Sequence, residues 1–307
     1  MKTTGSYRIA MTRPAPARAA VALLCGLALI ATGVACGSTG ASAPAPSQPR
    51  AAMTSPSPGP NAGGTPAHKP SVFLLGGSSA RESLVSTRSL AKAIARQGGG
   101  EVTVFNLGAT NGSFARDANL VKLMPDAPTV VLVGVNVGRY TATPKARAAA
   151  AVPTKAIPAM NPDFIIKHYY TRATIRPLRQ KRADVRSWVR WRYPVFRKNF
   201  ARNSAQMETL IRACQARGFR PVLLQLPLNL DAIGSAFDPA LDAYRADCRR
   251  LAARYDIPWV DFLAAADLAD TDFHDLMHLV EPGRRKWEKL LAKATATILR
   301  QYGLSVE

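Results

Sequence analysis

Acid is scarce in this chain. It carries 20 Asp and Glu against 41 Lys and Arg, a formal net charge of +21, which favours anionic partners over cationic ones. Cysteine is scarce too. Of the four present, Cys25 and Cys36 lie near the start, so only Cys214 and Cys248 remain to act within a folded body. That rules out a scaffold held together by many disulfides. There are four histidines, and two of them, His274 and His278, fall in one short segment. Neither G-x-x-x-x-G-K-[ST] nor G-x-G-x-x-G occurs, so the usual phosphate-cradling loops are missing. No segment repeats at a fixed period.

The first ~70 residues differ in composition from the rest and stand outside any fold argument. Lys2, Arg8, Arg13 and Arg18 precede the apolar run Ala19 to Ala35. The run ends in GVAC, and the polar stretch GSTGASAPAPSQP comes next. Small residues directly before a cysteine resemble a bacterial lipoprotein signal, in which Cys36 becomes the lipidated first residue. A cleaved secretory signal and an uncleaved anchor are the alternatives. All three export the remainder of the chain to the extracytoplasmic face of the cell membrane or beyond it. Residues 37–70 are Ala, Pro, Ser, Gly and Thr with almost no large apolar side chains, the composition of a disordered tether.

Residues 71–307 alternate in pattern. Short apolar runs at 71–75, 102–107, 129–135, 221–226 and 258–262 read as strands. Between and after them lie helical patterns at 80–97, 113–124, 203–217, 238–254 and 282–302. Continuously apolar strands separated by helices predict a three-layer α/β/α domain with a five-stranded parallel sheet. Ligands bind such open sheets outside the carboxyl ends of the strands, so the loops there are the ones to read for chemistry.

Those loops hold a coherent set. Gly76-Gly77-Ser78-Ser79 follows the first strand, FNLGATNGS spans the end of the second, Gly134-Val135-Asn136 ends the third, and Asp275-Leu276-Met277-His278 precedes the last helix. Together they supply a hydroxyl to attack, an imidazole to take its proton, a carboxylate to orient the imidazole, and amides to receive an oxyanion. In order and placement the four blocks resemble the SGNH or GDSL-type serine hydrolases over roughly 71–139 and 203–302. Two departures stand out: Gly77 replaces the usual Asp of G-D-S, and Asn111, followed by Gly112, sits where a Gly is expected. The resemblance implies a flavodoxin-like fold, no cofactor, and a Ser78–His278–Asp275 triad with Ser79 as the alternative nucleophile. It also implies an oxyanion site built from Asn136 and Asn111 or Gly112.

Two rival readings bear on the same segments. HDLMH (274–278) is close to the zinc motif H-E-x-x-H, but Asp is a carbon shorter than Glu. Pro282 also opens a helix only four residues after His278, leaving little room for one helix through both histidines. In the triad reading His274 has no catalytic role, and no metal is expected. Ser78 or Ser79 is also a good helix N-cap, with Glu82 near the capping-box position.

About 60 residues between the third strand and the next helix exceed what a compact α/β unit needs, a basic helical insertion at about 140–202. Residues 167–202 hold twelve Lys and Arg and one acid, Asp184, and RSWVRWRYPVFRKNF interleaves aromatic with basic side chains. Export argues against a physiological nucleic acid. An anionic membrane surface or wall polymer fits that compartment, and so does a solvated helix packing an apolar stripe on the domain. Cys214 and Cys248 fall on helices flanking one strand and are either a disulfide or two buried thiols.

The function expected is ester hydrolysis or acyl transfer outside the cell, on an acetylated envelope glycan or a lipid-like ester. The competing class is a non-catalytic envelope lipoprotein that keeps the fold and binds an anionic polymer or membrane surface.

Overall fold

The computed structural model describes residues 69–143 and 168–305. The leader with Cys36, the tether through residue 68 and residues 144–167 of the basic insertion lie outside the described residues.

Five strands, β1 (Ser71–Leu75), β2 (Thr103–Asn106), β3 (Thr129–Val135), β4 (Arg220–Gln225) and β5 (Trp259–Val260), pair in the order β2-β1-β3-β4-β5. Every pairing is parallel. The continuous apolar runs exist because both faces are covered. Val72 to Leu75 and Val130 to Val133 have almost no exposure. On one side α2 (Thr87–Ile94) packs against α8 (Glu281–Gln301). On the other, α3 (Phe114–Val121), α5 (Tyr193–Ala216) and, after the short α6 (Leu230–Ile233), α7 (Asp238–Tyr255) lie together. The predicted α/β/α sandwich is the fold. Strand order reverses between β1 and β3, and such a switch point opens a crevice where the two following loops diverge. The first and third sequence blocks occupy those loops.

The helix expected over 80–97 is two helices. A four-residue helix, α1 (Ser78–Arg81), stops at Glu82, and α2 starts afresh behind Ser86, whose Oγ accepts from Ser89 N–H at 3.0 Å. The break takes Glu82 and Ser83 out of helical register and buries both completely. Helical structure also begins well before residue 203. Helix α4 (Leu178–Ser187) runs through a π-helical turn, Trp188–Arg192, into α5. Lys181, Val185, Trp188, Phe196, Asn199 and Asn203 form its buried stripe at helical spacing, while basic residues hold the other face. Tyr140, just past β3, anchors this long element. Its ring stacks on Phe200 with centroids 5.0 Å apart, and its hydroxyl donates to Asp247 at 3.1 Å.

Cys214 and Cys248 are both free and buried, so the disulfide considered from their flanking positions does not form. The helices meet at the wrong height. Ser204 of α5 donates to Asp247, the neighbour of Cys248. Cys214 lies ten residues further along α5, about 15 Å at 1.5 Å per residue, against the ~4.4–6.8 Å Cα separation a disulfide needs. Burial pushes the Cys214 thiol up to about 12 and raises Cys248 as well, so neither presents a thiolate. A maleimide is therefore expected to leave both thiols unmodified in the native protein and to modify both after denaturation, as read by peptide mass. The melting temperature should not respond to reductant.

Candidate active site

Ser78 sits one residue beyond the Gly76-Gly77 pair, at the start of α1, and its Oγ lies 2.8 Å from His278 Nε2. The loop carrying it is wedged against the loop after β2 at backbone distance. A Cβ on Gly112 would stand 2.3 Å from the Gly76 carbonyl oxygen, and one on Gly108 would stand 2.4 Å from Arg81 N, so only glycine permits either approach. Asn106, the last residue of β2, ties the same loops by side chain. Its Nδ2 donates to the Ala80 and Arg81 carbonyls, and its Oδ1 accepts from Gly108 N–H.

The two adjacent serines, open alternatives from sequence, have different partners. Ser79 is buried, and its Oγ accepts from Asn136 Nδ2 at 2.7 Å rather than meeting His278. Arg139 N–H donates to Asn136 Oδ1 at 3.2 Å, which fixes the amide's orientation and leaves the second Nδ2 hydrogen uncommitted. The candidate donors after β2 also divide. Gly112 N–H is engaged by the Ala109 carbonyl at 3.0 Å, so it is not available to an oxyanion. Asn111 holds φ at 57°, a left-handed conformation that Asn tolerates better than most residues, which accounts for Asn where a Gly was expected. Its N–H has no acceptor among the described residues.

The HDLMH segment is a closed loop, not a helix. Phe273 and Leu279 form an antiparallel bridge, and His274 N–H donates to the His278 carbonyl at 2.8 Å. A zinc motif would need both imidazoles on one helical face, and that face does not exist here. Instead Asp275 Oδ1 accepts from the N–H groups of Met277 and His278, and its carboxylate meets His278 Nδ1 at 2.8 and 2.9 Å. An ionised carboxylate only accepts, so Nδ1 carries the proton, and in the neutral ring Nε2 faces Ser78 as an acceptor. Burial alone would raise the Asp275 pKa. The hydrogen bond and charge of His278, with the two backbone N–H groups, outweigh it and bring the carboxyl to about 2. His274 is turned away from Ser78. It stacks on Tyr170 with centroids 4.2 Å apart, and burial lowers its pKa.

Three supports escaped the sequence reading. Tyr170 spans both histidines, with its centroid 4.7 Å from that of His278. Lys181, inside the basic stretch, is fully buried, and its Nζ donates to the Asp270 carbonyl and carboxylate and to the Phe273 carbonyl. Glu82, at the end of α1, is also fully buried. It accepts from Arg284 of α8 at 2.8 Å, from Arg81, and from Tyr169 N–H, and it meets His168 Nδ1 at 3.1 Å. Desolvation would raise the pKa of Glu82, but these donors lower it on balance. A signal for Lys181 existed, since it lies four residues before Val185 and seven before Trp188 on the apolar stripe.

Ser78, Asn111, Asn136, Trp188, Arg192 and His278 are among the residues lining one cavity of about 380 Å³. A smaller one of about 240 Å³ adjoins it on the Asp275 side.

No protein-family model matches the chain, and no curated protein matches it. Solved structures do resemble it in shape. A lipase/acylhydrolase from Enterococcus faecalis is 14% identical, with 74% of this chain and 96% of that one covered and a TM-score of 0.42. Phospholipase A1 from Streptomyces albidoflavus is 10% identical, with 73% and 98% covered and a TM-score of 0.43. The esterase EstA from Pseudoalteromonas sp. is 11% identical, with 76% and 98% covered and a TM-score of 0.40.

Depressed from the ordinary 3.8 to about 2, Asp275 contributes stability that is complete above ~pH 4 and is lost as pH falls through 2. Its size is about 2 kcal/mol. Asp275→Asn is expected to unfold in less denaturant than the wild type at pH 7, with the gap closing between pH 4 and 2 in urea titrations.

Proposed function

We propose that the protein is a serine ester hydrolase or acyltransferase working outside the cell. The observation that carries this reading is the line Asp275–His278–Ser78, with hydrogen-bond distance at both joints. In the reading, Ser78 Oγ attacks the acyl carbon while His278 Nε2 takes its proton and Asp275 stabilises the imidazolium that forms. The oxyanion is received by Ser78 N–H, Asn111 N–H and the free Nδ2 hydrogen of Asn136. Collapse returns the proton from His278 to the departing alcohol and leaves an acyl-Ser78. Water or a second hydroxyl then enters by the same route, the difference between hydrolysis and transfer. Ser79 has the supporting role of orienting Asn136.

The resemblance of the four sequence blocks to the SGNH/GDSL-type hydrolases points to the same chemistry. Within it, an acetylated envelope glycan or a lipid-like ester is the substrate class. The sequence supports export and lipidation at Cys36, and the basic face of 167–202 favours an anionic membrane or wall polymer nearby. Trp191 and Val189, 62% and 41% exposed among those cations, suit such a surface.

A fluorophosphonate is expected to label the wild type at Ser78 and to fail on Ser78→Ala and His278→Ala. Asn136→Ala should remain labelled but lose about 10²–10³ in kcat on a short-chain ester. Folded wild type that takes no label would instead favour a binding protein on this scaffold.

A further inference from the structure

We infer that Arg192 is an anion-binding residue of the cleft and that the ester processed there carries a carboxylate or phosphate group. The inference rests on the hydrolase reading and names its substrate class.

The charges around Ser78 are nearly all accounted for. Asp275 is held by His278, Arg139 by Asp117 at 2.5 Å, and Asp184 by Arg176 at 2.9 Å. Arg192 is different. It lines both the larger cavity and its smaller neighbour, so it stands where the two meet beside His278. Among the described residues it has no carboxylate partner, and its one hydrogen bond runs from Nη2 to Thr141 Oγ1 at 3.1 Å. A guanidinium has five N–H donors in a planar fork, so most of the fork is unspent. Among the described residues no Asp or Glu lines the larger cavity to repel an anion, while Asp184 and Asp275, each already paired, line the smaller one.

The local fold presents this cation for a reason. Arg192 ends the π-helical turn that begins at Trp188, and such turns re-aim side chains within a helix. Trp188, buried, and Arg192, itself solvent-exposed, both reach the cavity wall, while Val189 and Trp191 between them are exposed and do not line it. Trp188 is held by Phe237, with centroids 4.1 Å apart. An apolar wall with a fork of donors at its end suits a ligand with an uncharged body and one planar or tetrahedral anionic group. Arg190 lies over the Trp191 ring, outside the cavity lining.

The test compares matched esters. Phenyl acetate is the neutral probe. The acetate esters of 4-hydroxybenzoate and of 4-hydroxyphenyl phosphate place a carboxylate or a phosphate on the alcohol side, and monophenyl succinate places a carboxylate on the acyl side. The wild type should favour at least one charged ester over the neutral one. Arg192→Ala should lower that kcat/KM ratio about tenfold, chiefly through KM, and Arg192→Lys should restore part of it. Arg190→Ala should lower it much less. The best charged ester then identifies the anion and its side. A wild type with no preference overturns the inference. So does a ratio that Arg192→Ala leaves intact, or one that Arg190→Ala reduces equally.

If no ester turns over, calorimetry with inorganic phosphate and with 4-hydroxybenzoate decides separately. Binding by the wild type that Arg192→Ala abolishes keeps the anion site and discards the hydrolase. Equal binding, or none, discards the site.

Discussion

One carboxylate holds the site together. Glu82 has no exposure and lies four residues beyond Ser78, at the point where α1 is cut short. Arg284, which reaches it, belongs to the first turns of α8, directly after the loop that carries Asp275 and His278. His168 and Tyr169 N–H reach it from the segment whose next residue, Tyr170, lies against His278. Three stretches of chain that share no secondary structure thus converge on one buried charge. Removing one partner of a buried, hydrogen-bonded pair typically costs about 3–5 kcal/mol, because the remaining charge is left without solvent or counterion. This contact and the glycine-permitted approach of the neighbouring loops join the stretches that carry Ser78 and His278.

The sequence was most informative where one physical rule acts alone. A strand covered on both faces must be apolar throughout, so 71–75 and 129–135 were legible to the residue. Strand-end loops in a parallel sheet share an edge, so Ser78, Asn136, Asp275 and His278 could be placed together from the sequence. The failures came where tertiary contacts override local pattern. Helical periodicity carries through 80–97, yet burying Glu82 and Ser83 breaks it. Two adjacent serines have the same chemistry in one dimension, and only their partners distinguish them. The choice between a disulfide and two buried thiols, left open by the sequence, turned on helix height, a quantity that spacing along the chain does not contain.

The basic insertion shows why composition alone misleads. Its charges suggested a solvated face, and most of them are solvated. Lys181 is not used that way, and Arg192, though exposed, also faces the cleft. One is buried among the carbonyls of the loop leading to Asp275, and the other lines the cleft. A single helical element therefore supports the His278 loop from below and walls the cavity above it. Its π-helical turn is where those two uses meet.

Ser78 and His278 are two hundred residues apart in sequence. Contacts of that span form late in folding, since the entropy of closing so long a loop must be met first. Synthesis runs from the N-terminus, so the serine loop exists well before its imidazole. Until α8 docks and Arg284 reaches Glu82, Ser78 has no base beside it and is an ordinary hydroxyl. In the hydrolase reading, reactivity at this serine thus arises only with completion of the fold, and an unfinished or unfolded chain carries none.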